Sequence, residues 1–83
     1  MKDLLNYIVT SLVTKPEEVE ITEEVEGTSI NLILSVANED MGIVIGKQGQ
    51  TIRSIRKILT VRAIAENVRV NLQLAESKTA QPQ

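Results

Sequence analysis

A chain of 83 residues, 42% apolar and 24% charged, is enough for one small folded domain but not for a cleft closed between two lobes. It holds no Cys, His, Phe or Trp, which removes disulfides, the common zinc, haem and iron–sulfur sites, and any catalytic pair built on a His base or a Cys nucleophile. The net charge of −2 hides an asymmetry: residues 1–40 carry two basic and nine acidic side chains, whereas residues 41–83 carry seven basic and two acidic.

The core is expected to be aliphatic, since Tyr7 is the only aromatic residue. The start, Met1-Lys2-Asp3, leads into an amphipathic pattern and not into a long apolar run, so neither a signal peptide nor a membrane span is expected. A cytoplasmic protein without enzymatic activity, metal or cofactor is the expectation. Between Met41 and Ala65 stand Lys47, Arg53, Arg56, Lys57 and Arg62 with no acid among them. Local field, more than total charge, steers a polyanion, so this half is the place to look for a nucleic-acid contact.

In chain order, Leu4, Leu5, Ile8, Val9, Leu12 and Val13 recur at helical spacing, and Pro16 predicts that this helix stops near Thr14. Val19, Ile21 and Val25 alternate with Glu20, Thr22, Glu24 and Glu26, a strand with a wet acidic face. Gly27-Thr28 marks a hairpin turn, and Ile30, Leu32, Leu34 and Val36 give the second strand. Asn38 or Asp40 suits a helix N-cap ahead of a short apolar turn, Gly42-Ile43-Val44-Ile45. Ile52, Ile55, Leu59 and Ala63 then mark one side of a helix from Gln50 to about Ala65, with Thr51 a late cap. Val68, Val70, Leu72 and Leu74 alternate with polar residues as a last strand. The expected class is α+β, ordered α-β-β-α-α-β, with a three-stranded mixed sheet packed on three helices. One domain spans residues 1–75, and the polar residues 76–83 are expected to form a disordered tail.

The informative stretch is Val44-Ile45-Gly46-Lys47-Gln48-Gly49-Gln50-Thr51-Ile52. Two glycines separated by two polar residues let another molecule approach the main chain closely, just where a helix begins with unpaired N–H groups. That arrangement suits a phosphate, and Lys47 adds a full positive charge at the tip. A Walker-type phosphate loop is excluded by its spacing: only three residues separate Gly42 from Gly46-Lys47, and Gln48 follows instead of Ser or Thr.

This loop, with V-I before it and an isoleucine after it, resembles the KH family and its G-x-x-G pattern. The match covers roughly residues 28–74. The helix and strand ahead of it make the topology type II, most similar to the small stand-alone bacterial KhpA family. The resemblance implies a domain that grips about four nucleotides of single-stranded RNA, with bases on an aliphatic groove. Carried over by position, Gly46, Lys47, Gln48 and Gly49 form the clamp, Ile43, Ile45 and Ile52 line the groove, and Arg53 is an accessory phosphate contact. So short a turn is not expected to expose both Ile43 and Ile45. Relatives commonly carry a basic residue in place of Ile43 and others near Gln48 and Gln50, so this loop is less positive than is usual.

Family resemblance further implies self-association and pairing with a larger KH partner, KhpB, which would join weak sites into a stronger one. Val61 and Ile64 fall off the stripe of Ile52, Ile55, Leu59 and Ala63, and they mark either a partner surface or a helix covered by neighbouring elements. Arg53, Arg56 and Lys57 either meet phosphates or solvate their helix. Two functions follow from these readings. One is an RNA chaperone or regulator, and the other an interaction adaptor for which RNA is incidental.

Overall fold

The structure, a computed structural model, describes residues 1–75; the tail expected for residues 76–83 lies outside the described residues. The elements are α1 (Lys2–Thr10), β1 (Glu20–Glu26), β2 (Ser29–Ser35), α2 (Met41–Ile45), α3 (Gln50–Ala65) and β3 (Arg69–Leu74), with single 3-10 turns at Pro16–Glu18, Asn38–Asp40 and Lys47–Gly49. This is the expected α-β-β-α-α-β order.

The sheet runs β1-β2-β3, with β1 and β2 antiparallel and β2 and β3 parallel. The register aligns Ile21, Leu34 and Leu74, and likewise Leu32 with Leu72 and Ile30 with Val70. Because side chains alternate along a strand, this apolar set shares one face. Leu5 and Val9 of α1, Val44 of α2 and Ile52, Ile55 and Leu59 of α3 pack on it together with Leu32, Leu34 and Leu72. The opposite face carries Glu20, Thr22, Glu24 and Glu26 beside Asn31, Arg69, Asn71 and Gln73, where Asn71 Nδ2 donates to Asn31 Oδ1 at 3.1 Å. The acidic strand therefore turns Glu20, Glu24 and Glu26 to the side of the sheet away from the helices.

One boundary and one cap differ from expectation. Helix α1 ends at Thr10, about one turn before Thr14. The Thr10 hydroxyl donates to the Asn6 carbonyl and the Ser11 hydroxyl to the Tyr7 carbonyl, each at 2.7 Å, so hydroxyls compete for the acceptors of the last turn. The chain then turns so that Asp40 can hold it. Asp40, fully buried, accepts from the Thr14 amide at 3.1 Å and hydroxyl at 2.8 Å through Oδ1, and from the Lys15 amide at 3.0 Å through Oδ2. Burial pushes the Asp40 pKa up, but these hydrogen bonds outweigh it and hold the carboxyl below its ordinary value. Asp40 does precede α2, yet its side chain caps no helix. It ties the exit of α1 to the entrance of α2, and the Lys15–Glu39 ion pair at 3.0 Å lies beside it.

The far end of α3 closes in a Schellman motif. The Val68 amide donates to the Ala63 carbonyl at 2.9 Å and the Asn67 amide to Ile64 at 3.2 Å, with Asn67 at φ +59°. Asparagine tolerates that left-handed conformation, and the motif delivers the chain directly into β3.

Candidate nucleic-acid interface

Between α2 and α3 the main chain leaves helical geometry for a few residues. Gly46 sits at φ 78°, ψ 172°, Gln48 at φ 56°, ψ 26°, and Gly49 at φ 76°, ψ 15°. The Gly46 conformation is open to essentially no residue but glycine. Space forbids a side chain as well, since a Cβ on Gly46 would lie 2.6 Å from Thr51 Cβ and 2.8 Å from the Thr51 amide nitrogen. Thr51 is therefore not the cap of α3; it packs beneath the loop from the first turn of the helix, whose N-cap position is Gly49. A Cβ on Gly49 would meet nothing within 4 Å, so that glycine answers to its backbone angle alone. Gln48 holds a left-handed conformation that disfavours a side chain of its type, which is local strain at the tip. The Gly46 amide bonds the Gly42 carbonyl at 2.8 Å and the Gly49 amide bonds Gly46 at 3.1 Å, so the loop is fixed and not slack.

On either side of the loop the structure places the other residues singled out from sequence. Ile43 and Ile45 are both on the surface, 39% and 37% exposed, while Val44 between them is fully buried. The expectation that a short turn could not expose both is thus corrected: one helical turn buries Val44 and leaves its neighbours outside. Ile52 is 8% exposed and belongs to the core, so it supports the groove from below and offers a ligand little surface. Lys47 and Arg53 are exposed.

A shallow trough of about 540 Å³ runs along α3 directly from the loop, lined by Gln50, Arg53, Ser54, Arg56, Lys57 and Thr60. Of the five basic residues between Met41 and Ala65, Arg62 is neutralised by Glu66 through an ion pair at 2.6 Å. That partner holds the Glu66 carboxyl below its ordinary pKa, mainly through the hydrogen bond from Arg62. Among the described residues Lys47, Arg53, Arg56 and Lys57 enter no ion pair. Their charge is therefore open to an external anion. A larger hollow of about 680 Å³ lies at the hairpin end of the sheet, but Glu24 and Glu26 line it with Arg69 as its one cation, the wrong balance for a phosphate chain.

Arg56 was recognisable from sequence only as one of several surface cations. Its Nη2 donates to the Leu72 carbonyl at 3.3 Å and reaches across to the outer edge of β3. The exposed apolar residues of α3 also exceed expectation: Ile58 (47%), Val61 (63%) and Ile64 (70%) stand at three-residue spacing and make one ridge. Ile58 follows the same rule of falling off the buried stripe that singled out Val61 and Ile64, and the signal was available. No helix among the described residues is long and apolar enough to cross a membrane.

Comparison with known proteins agrees with this geometry. A family model described as "KhpA/KhpB, KH domain" matches residues 2–74. Among similar proteins, "RNA-binding protein KhpA" of Chlamydia pneumoniae is 51% identical over 79 residues, covering 94% of this chain and all of that protein. Proteins of the same name from Clostridium perfringens and Listeria monocytogenes are 46% and 41% identical, covering 89% and 92% of this chain and 99% and 100% of their own lengths. With topology, loop and near full-length similarity in agreement, the chain belongs to the KhpA/KhpB KH-domain family.

Proposed function

We propose that the protein binds single-stranded RNA by clamping a short run of its sugar-phosphate backbone on Gly46–Gly49 and along the basic side of α3. The observation that carries this reading is continuity. A glycine-built, side-chain-poor stretch of main chain opens directly onto a trough whose cations have no ion-pair partner among the described residues. The loop presents the N-terminus of a 16-residue helix, whose first-turn amides lack partners within the helix and carry a partial positive charge. Ile43 and Ile45, exposed beside the loop, supply the apolar surface on which bases would rest. The similar proteins named as RNA-binding support the same reading.

With few cations, a single copy is a weak, salt-sensitive binder. The ridge of Ile58, Val61 and Ile64 favours a remedy, namely association with a second copy or with a larger KhpB-like protein. The adaptor reading, in which this ridge is the whole function, makes a different forecast for the loop. Lys47→Asp combined with Gln48→Asp leaves both glycines in place, and Asp tolerates the backbone angles of position 48. This double variant should keep the wild-type circular dichroism and lose at least about ten-fold in affinity for single-stranded RNA by fluorescence anisotropy, because one positive charge at the phosphate site is replaced by two negative ones. Unchanged affinity would reject the clamp and favour the adaptor.

A further inference from the structure

The two outer edges of the sheet are unlike. At β3, the Arg56 side chain of α3 reaches over the strand to the Leu72 carbonyl. At the other edge, β1 pairs among the described residues with β2 alone, and Thr22 to Glu26 are all exposed, Val25 by 61%. Glu26 and Ser29 close the two-residue turn at Gly27-Thr28, and such a turn is closed by a hydrogen-bonded pair. Alternate residues of an antiparallel strand bond the same neighbour, so Thr22, Glu24 and Glu26 serve the ladder to β2. Ile21, Glu23 and Val25 therefore turn their N–H and C=O groups outward. A row of this kind is a template for one more strand.

Charge decides which strand the template accepts. The sequence of β1, Glu-Ile-Thr-Glu-Glu-Val-Glu, contains no base. Pairing with β1 of a second copy brings its glutamates no cation in any register, and the fully aligned antiparallel register sets Glu20 against Glu26. Like charges placed opposite each other are destabilising, so the edge is guarded against its own kind. Glu23, Glu24 and Glu26 enter no ion pair among the described residues. Glu24 and Glu26 also border the hollow of about 680 Å³ at the hairpin end, whose single cation, Arg69, lies on β3. That is two strands from the edge, roughly 10 Å at ordinary strand spacing. A long basic side chain arriving at β1 would thus meet two carboxylates first. On the helix side of the same strand, Val25 offers exposed apolar surface beside Glu23.

We infer that the outer edge of β1 is a docking site for an extended, Lys/Arg-rich segment of another protein, which joins the sheet as a fourth strand. Main-chain hydrogen bonds to Ile21, Glu23 and Val25 hold the segment, and the two-residue period of a strand sets its pattern. Basic residues stand beside Glu24 and Glu26 on the open face. On the helix face an aliphatic residue stands beside Val25 and a further base beside Glu23. The edge lies across the sheet from β3, the strand on which α3 packs, so the site is separate from the glycine loop and its trough. The inference is independent of the RNA clamp.

The probe is an acetylated and amidated peptide, Lys-Val-Lys-Lys-Thr-Val-Arg, which in antiparallel pairing runs opposite Glu26 to Glu20. Its control has the same composition with the three uncharged residues gathered at one end. Each is titrated into the full chain at one fixed salt concentration and followed by amide NMR. The alternating peptide should bind about five-fold more tightly than the control and slow hydrogen exchange at the outward amides of Ile21, Glu23 and Val25. Glu24→Gln combined with Glu26→Gln should weaken it by about five-fold, the range of two cross-strand charge pairs. Val25→Pro removes one outward N–H while sparing the ladder to β2, and should abolish the protection at Ile21 and Glu23. The same peptide N-methylated at its fourth residue keeps every charge and should lose at least about five-fold, a result that does not depend on how any variant folds. Equal affinity for the alternating and control peptides, or for the methylated one, would reduce the contact to diffuse attraction and overturn the inference. Protection of the same amides on concentrating the chain alone would also overturn it, by making a second copy the occupant. No RNA enters the experiment, so its outcome and that of the loop variant are read separately.

Discussion

The outer side of α3 changes character along its length. Its first half, from Gln50 to Lys57, is a basic trough continuous with the glycine loop; its second half carries the apolar ridge of Ile58, Val61 and Ile64. The same helix buries Ile52, Ile55, Leu59 and Ala63 along its whole inner side. One element thus packs uniformly inward and divides its outward labour in two. The lesson is that the charge of this protein is informative only locally. Arg62, in the apolar half, is neutralised by Glu66, whereas no cation of the basic half has an ion-pair partner among the described residues.

The sharpest way to break the division is to place a charge in the ridge. Val61→Asp should weaken self-association by at least about ten-fold, since desolvating a carboxylate in an apolar contact is unfavourable by more than a kilocalorie per mole. Sedimentation across a concentration series reads this directly. Affinity for a short RNA that fits one loop should stay within about two-fold of wild type, as Val61 lies outside the trough. If the variant sediments as the wild type does while the wild type associates, the ridge is not the contact.

A smaller change falls in the basic half. Arg53→Gln should reduce RNA affinity by about three- to five-fold and make the dependence of log affinity on log salt shallower by roughly 0.7, the value for one phosphate contact on a single strand. An unaltered slope would place Arg53 among the solvated cations. Association measured by sedimentation should not move.

Acid tests what holds both halves in place. The folded-state pKa of Asp40 is lowered from its ordinary 3.8, so its stabilisation is fully present above that value and is lost as pH falls below it through the folded pKa. Thermal melting from pH 6 to pH 2 should show stability declining below about pH 4, in line with an ordinary aspartate pKa. In Asp40→Asn the part of that decline due to Asp40 should vanish and the variant should be less stable than wild type at neutral pH. An Asn variant with the same acid slope would remove Asp40 from the account.

The smallest effect is expected at Gln48. Replacement by Gly relieves the left-handed backbone at φ 56° and should raise stability by roughly 0.5–1 kcal/mol, with little change in RNA affinity because the side chain is not charged. A lower melting temperature would mean that the Gln48 side chain contributes more than its conformation costs.

Much of this molecule was legible in its sequence because short-range periodicity reports directly on burial. The alternation of Ile30, Leu32 and Leu34 and the helical spacing of Ile52, Ile55, Leu59 and Ala63 gave the sheet and α3, and the G-x-x-G spacing gave the loop. Periodicity failed where a distant group intervened. The path of the chain after α1 is held by Asp40, whose donors on Thr14 and Lys15 lie about 25 residues away in the chain. Local propensity carries no trace of such a contact, and the same carboxylate read as a helix cap.

What the amino-acid order determined alone was therefore the element sequence, the inward faces and the charge asymmetry, all properties of neighbours in the chain. Tertiary structure decided that Ile43 and Ile45 both reach the surface, that Ile52 does not, and that Thr51 fills the space where Gly46 has no side chain. It also laid Arg56 across the edge of β3, sixteen residues from Leu72. These outcomes depend on how helices and sheet meet, and a one-dimensional pattern constrains which face is buried but not what lies opposite it.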